Sequence, residues 1–151
     1  MRALVLLRVA AVDRAPYWRL QLEPGALELG VTEDELLLIA SDEWEVAPTF
    51  SERERAAIRW GDRVARRLAR SDKRAYDAVR AVFTEAELVE LTLLSSLGAM
   101  ADRLTNALRI APEPPVGLSP GKGATPAENL EAWPASMFDE DLIAAWRSTC
   151  R

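Results

Sequence analysis

Apolar residues recur at spacings of three and four through most of the first 110 positions, and short cap motifs mark where the periodic stretches begin. Thr32-x-x-Glu35, Ser51-x-x-Glu54 and Thr84-x-x-Glu87 are capping boxes. In each, the hydroxyl accepts from the backbone N–H three residues on, and the glutamate reaches back to the cap's own N–H. They predict helices at about 33–41, 52–70 and 85–109, with a shorter one at about 73–82 capped by Ser71 or Asp72. Ahead of Thr32 the pattern predicts two more, at about 2–12 and 16–28. Pro16 suits a first turn, where its missing N–H has no intrahelical partner. Pro24 predicts a kink or an early end, and Gly30 a C-terminal stop. No alternating run is long enough for a strand.

The 52–70 segment sets Ala57, Trp60, Val64 and Leu68 on one predicted buried stripe. Its other faces carry Arg53, Arg55, Arg59, Arg63, Arg66, Arg67 and Arg70, with Glu52, Glu54 and Asp62 among them. Mixed charge of this kind reads as a solvated or intersubunit face rather than a nucleic-acid contact. From 85 to 109, Leu88, Leu91, Leu94, Leu97, Ala101, Leu104 and Leu108 run along one side, widened by Leu93, Met100 and Ala107, which predicts the central helix. Gly98 at its middle costs about 1 kcal/mol of helix propensity relative to alanine and permits close approach of another element. After Ile110 the character changes. Ala111 to Pro126 is rich in proline and glycine, and an amphipathic piece from Asp139 to Thr149 offers Phe138, Leu142, Ile143 and Trp146 for docking on the body or a neighbouring subunit. The expected organisation is an all-α body over 1–110 and a C-terminal extension over 111–151.

With 151 residues, 49% apolar and 28% charged, the chain fits one globular domain. A net charge of −5 argues against a nucleic-acid partner. The longest nearly uncharged apolar run, Leu91 to Met100, is too short to span a bilayer, so no membrane partner is expected. Arg8 and Asp13 interrupt the apolar start, which does not read as a signal peptide, and cytoplasm is the expected compartment. There is no histidine, and the single cysteine is Cys150. Cys-x-x-Cys pairs, Ser-His-Asp and Cys-His nucleophiles and His-ligated zinc are thereby excluded, and neither a metal nor a cofactor is expected. Cys150, with only Arg147 and Arg151 for basic neighbours, reads as a spectator thiol.

Several stretches resemble the carboxymuconolactone decarboxylase and alkylhydroperoxidase D-like (AhpD-like) family. They are Leu6-Leu-Arg-Val-Ala, Ala15-Pro-Tyr-Trp-Arg-Leu-Gln-Leu, Gly30-Val-Thr-Glu-Asp-Glu-Leu, Phe50 to Gly61, Phe83-Thr-Glu-Ala-Glu-Leu-Val-Glu-Leu-Thr and Arg103-Leu-Thr-Asn-Ala-Leu. The resemblance covers about residues 2–110 and implies a bundle of about six helices, assembled as a homo-oligomer. That family carries either Cys-x-x-Cys with a histidine or Tyr-Glu-Trp-x-x-His in its first-half helix. Aligning Tyr17 puts Trp18 at the family's glutamate or cysteine and Leu22 at its histidine. Gly98 stands where an aromatic is usual, which suggests space opened opposite Trp18.

Two readings of this region stay open. Trp18 and Leu22 either line a remodelled apolar pocket or fill the old site as core. As a pocket, it would take a small apolar or carboxylated metabolite, with Arg14, Trp18, Gln21, Leu22 and Gly98 as substrate contacts. Tyr17 and Glu43 would supply proton transfer, Glu43 through desolvation beside Trp44. Arg103 and Asn106 read as a structural salt bridge or cap. The expected function is a non-redox lyase, isomerase or cyclase. The alternative is a catalytically inactive oligomeric binding or structural homologue, and peroxide reductase activity is disfavoured by the missing thiols.

Overall fold

In a computed structural model, which describes residues 1–112, the elements follow in the order α1 (Arg2–Val12), α2 (Pro16–Glu28), α3 (Glu33–Ala40), a 3-10 turn (Glu43–Glu45), α4 (Glu52–Ala65), α5 (Lys73–Val82) and α6 (Glu85–Ala107). All three capping boxes close, each with both reciprocal bonds. Asp72 caps α5 by accepting from the Ala75 N–H. Helix α2 runs through Pro24 to Glu28, so the expected early end there does not occur. The segment from Asp139 to Thr149 and the rest of the extension from residue 113 on lie outside the described residues.

Two helices end earlier than predicted, α4 at Ala65 and α6 at Ala107, for one shared reason. Arg14, Arg67, Arg109 and Gly30 each follow a helix with positive φ. Each stop closes the same pair of bonds: Ala15 N–H to Ala10 O, Leu68 to Arg63, Ile110 to Thr105 and Val31 to Ala26, with the shorter partner bond beside it. These are Schellman caps, normally built on glycine. Only one of the four has it. The other three place an arginine in the left-handed region, at about 1–2 kcal/mol each.

The core closes around α1, which packs against α2, α3, α4 and α6. Leu4 and Leu7 join Ile39, Trp44, Phe50 and Ile58 in one apolar cluster. Val5 joins Ala57, Trp60, Val79, Phe83 and Leu91 in a second, and Val9 meets Ala65 and Ala99 in a third. Two glycines admit α1. A Cβ at Gly61 would lie 2.8 Å from Val5 Cγ1, and one at Gly98 would lie 2.9 Å from Leu6 Cδ2.

Helix α6 was expected at the centre with its leucines inward; Leu88, Leu91 and Leu94 of that stripe do pack on the second cluster, and the structure corrects the rest. Its buried positions are Leu91, Ser95, Ala99, Asp102 and Thr105, while Leu93, Leu97, Met100, Leu104 and Leu108 are exposed. Small side chains face α1 because the two backbones approach closely there, and the large ones are left on the outside. Leu68, expected in the α4 stripe, likewise lies exposed in the turn beyond that helix.

One buried ion pair ties the layers together. Arg8 is 3% exposed and Asp62 1%. Arg8 Nε donates to Asp62 Oδ1 at 2.8 Å, and its Nη atoms donate to the Ile39 and Ser41 carbonyls and to Asp42. The guanidinium also sits 5.4 Å over the Trp44 ring. With its donors satisfied, Arg8 fixes the C-terminal end of α3 and the last turn of α4 to α1.

Candidate functional site at the corner of α1 and α2

Helix α1 stops at Val12, the chain turns through Asp13 and Arg14, and Pro16 opens α2 almost at once. This tight corner places Tyr17 and Trp18 in the first turn of α2, packed edge to face with ring centroids 5.6 Å apart. Both are half-buried, and the Trp18 Nε1–H is buried without a hydrogen-bond partner.

The second half of α6 closes onto the same corner. Arg103 Nη2 donates to Asp13 Oδ1 at 3.2 Å and to the Ala65 carbonyl at 2.6 Å. Asn106 donates its amide to the Asp13 backbone carbonyl at 2.9 Å. Both therefore brace the corner, as the salt-bridge reading of these residues expected. Asp13 Oδ2 lies 3.1 Å from Arg103 Nε, but outside hydrogen-bonding geometry.

Next to Arg103 stands Asp102, only 2% exposed, with Oδ2 buried and unpartnered. Burial first, then the Asp13 charge, push its carboxyl up to about 7, with the Arg103 charge acting the other way. Asp13 and Asp102 thus lie close enough to interact electrostatically, in unequal surroundings. One is braced by an arginine, and the other is desolvated and poised to bind or release a proton near neutrality. A desolvated carboxyl of this kind can exchange a proton near neutral pH, which is one requirement for general acid–base work.

The expected site residues divide. Tyr17 and Trp18 lie at the corner. Leu22 packs against the first apolar cluster, as core. Arg14 and Gln21 are exposed. Glu43 is exposed on the 3-10 turn while Trp44, 1% exposed, is turned into the core, so adjacency in sequence does not desolvate this carboxylate. The space expected opposite Trp18 at Gly98 is taken by Leu6 and Val9 of α1. Asp13 and Asp102 were not singled out from the sequence. The readable signal was an aspartate three residues after Ala99 and seven after Ser95, on the small-residue face that packs inward. Among the described residues no group of three or more potential metal ligands occurs, and no helix is long and apolar enough to cross a membrane.

No family model and no curated protein matches the chain. A solved structure does: a protein of unknown function from Agrobacterium tumefaciens, provisionally described as the antioxidant defence protein AhpD. It superimposes with a TM-score of 0.69 at 21% identity, over 74% of this chain and 76% of that one. At that identity the likeness establishes the fold, so the described helices form an AhpD-like bundle.

Proposed function

We propose that this chain uses an AhpD-like bundle for non-redox chemistry: proton transfer on a small apolar or carboxylated metabolite, as a lyase, isomerase or cyclase. One observation carries the reading. The turn of α6 that braces the corner through Arg103 also carries a buried carboxyl, Asp102, with a free oxygen and a proton affinity suited to neutral pH. Asp102 replaces Glu43 as the acid–base group, Asp13 and Arg103 set its electrostatics, and Tyr17 and Trp18 form the apolar side. Neither histidine nor a cysteine pair exists in the chain to support thiol reduction of peroxides.

Proton transfer has a readout that does not require the natural substrate. Incubated in D2O with a panel of small keto acids and lactones, the protein should exchange hydrogens next to the carbonyl, visible as loss of proton NMR signal. Asp102→Asn should abolish that exchange while keeping the helical spectrum. Exchange undiminished in Asp102→Asn refutes the assignment. Peroxide consumption that survives Cys150→Ser refutes the non-redox reading.

The second reading, an assembly without catalysis, rests on the outer face of α6. Val89, Leu93, Leu97, Met100, Leu104 and Leu108 recur at spacings of four, four, three, four and four, all exposed. That period suits packing against a second copy. Leu97→Glu with Leu104→Glu should convert an oligomer to monomer in light scattering with helicity unchanged. An unaltered mass eliminates this face as the interface.

A further inference from the structure

A second polar site lies on the other side of α4, away from the small-residue face of α6. A cavity of about 370 Å³ is lined by Arg8, Asp42, Glu45, Asp62, Arg63 and Arg66. Its floor is the Asp62 carboxylate, which accepts from Arg8 Nε, from Arg63 Nη1 at 2.5 Å and from Arg66 Nε at 3.1 Å. A fourth contact, Arg63 Nε to Asp72 at 2.7 Å, pins the second guanidinium from behind. Each arginine is thus held at its inner edge by a fixed acceptor, which leaves its outer edge directed elsewhere.

Those outer edges are underused. Among the described residues, Nη1 and Nη2 of Arg66 and Nη2 of Arg63 donate no hydrogen bond. Arg66 Nη2 is 3.8 Å from Asp42, and Arg63 Nη2 is 3.6 Å from Glu45, both beyond hydrogen-bond range. Arg59 stands at the same rim, 3.9 Å from Glu45 and stacked 5.9 Å over Trp44. Asp42 is 85% exposed in its side chain, so water competes for the one strong bond it makes, to Arg8. The two rim carboxylates therefore neutralise the cavity without filling it.

We propose that this cavity binds the oxyanion group, carboxylate or phosphate, of a small ligand through the free outer edges of Arg63 and Arg66. A planar or tetrahedral oxyanion accepts from two guanidinium edges at once, and donors already held in place by Asp62 and Asp72 lose little freedom on binding. The ligand displaces Asp42 and Glu45 outward into water, where they already lie in part. Asp42 and Glu45 are thus competitors of the ligand, and removing their charge strengthens binding.

Titration calorimetry at fixed ionic strength, with sodium chloride as the control, tests this with two probes: inorganic phosphate and succinate. At least one should bind saturably, and which one does identifies the oxyanion. Arg66→Ala, at a position open to solvent, should weaken it about tenfold or more, the loss expected for a charged hydrogen-bond donor. Asp42→Asn should tighten it several-fold. No saturable heat from either probe through tens of millimolar overturns the proposal. So does equal binding by Arg66→Ala, or weaker binding by Asp42→Asn. Neither variant touches Asp102, so failure here leaves the proton-transfer reading standing, and failure there leaves this one.

Discussion

Replacing Asp102 with asparagine should stabilise the fold above neutral pH, although it removes a native carboxyl. In the unfolded chain Asp102 ionises near the ordinary aspartate value of 3.8, and in the folded state only near 7. Below pH 3.8 both states hold the proton and folding carries no penalty. As pH rises toward 7 the unfolded state releases it first, so stability falls, by about 1.4 kcal/mol per unit. Over about three units that gives a ceiling of about 4 kcal/mol. The asparagine amide is buried too, which leaves roughly 2 kcal/mol as the expected gain at pH 8. For a body of this size that corresponds to roughly 6–10 °C in Tm. The assay is thermal unfolding from pH 4 to pH 8, wild type against Asp102→Asn. The wild type should lose stability across the window relative to the variant, whose curve lacks this one component. A variant less stable than wild type at pH 8, or curves that stay parallel, would refute both the raised proton affinity and the unpartnered oxygen from which it follows.

Four further outcomes follow from packing, backbone conformation and the buried ion pair. Gly61→Ala should cost about 1–3 kcal/mol in denaturant unfolding, because its methyl meets the stiff, β-branched Val5 of the central helix. Gly98→Ala should be nearly neutral, since the flexible tip of Leu6 can move and alanine gains helix propensity; equal losses at the two sites would contradict the described approach of α1. Arg67→Gly should raise stability by about 0.5–1 kcal/mol by relieving a left-handed arginine, and a decrease would mean that its side chain matters more than its backbone. Arg8→Met should lose about 1–3 kcal/mol by removing one charged donor from the buried Asp62, which keeps Arg63 and Arg66, measurable as an early urea midpoint with an unchanged slope.

The starts of helices were legible in the sequence, as were the ends of α1, α2 and α5, whereas the ends of α4 and α6 were not. A capping box is local chemistry within four residues, and Thr32, Ser51 and Thr84 each announce a start that the structure repeats. A Schellman stop on arginine carries no such signature, so α4 and α6 were read two to five residues too long. On the second half of α6, residue size does not report burial. Where helices approach through Gly98, Ser95 and Ala99, small residues face inward and leucines are displaced outward. The corner itself was legible through Pro16, Tyr17 and Trp18. Its chemistry was not, because Asp13 and Arg103 meet across ninety positions, and pattern within a helix does not report such a pairing.

The position of α1 at the centre also bears on how the chain reaches its fold. The partners that complete its surroundings come late: Asp62 is 54 positions beyond Arg8, and Asn106 is 93 beyond Asp13. Until those segments are available, α1 is a short apolar helix with little to cover it, and the loops that must close are long. Each helix can form early and locally, but the core cannot close until α4 and α6 have arrived. Folding of this body should therefore be slower than that of helical bundles built from adjacent hairpins. Truncations that remove α6 should leave α1 exposed and prone to self-association, even though most of the helical residues are still present.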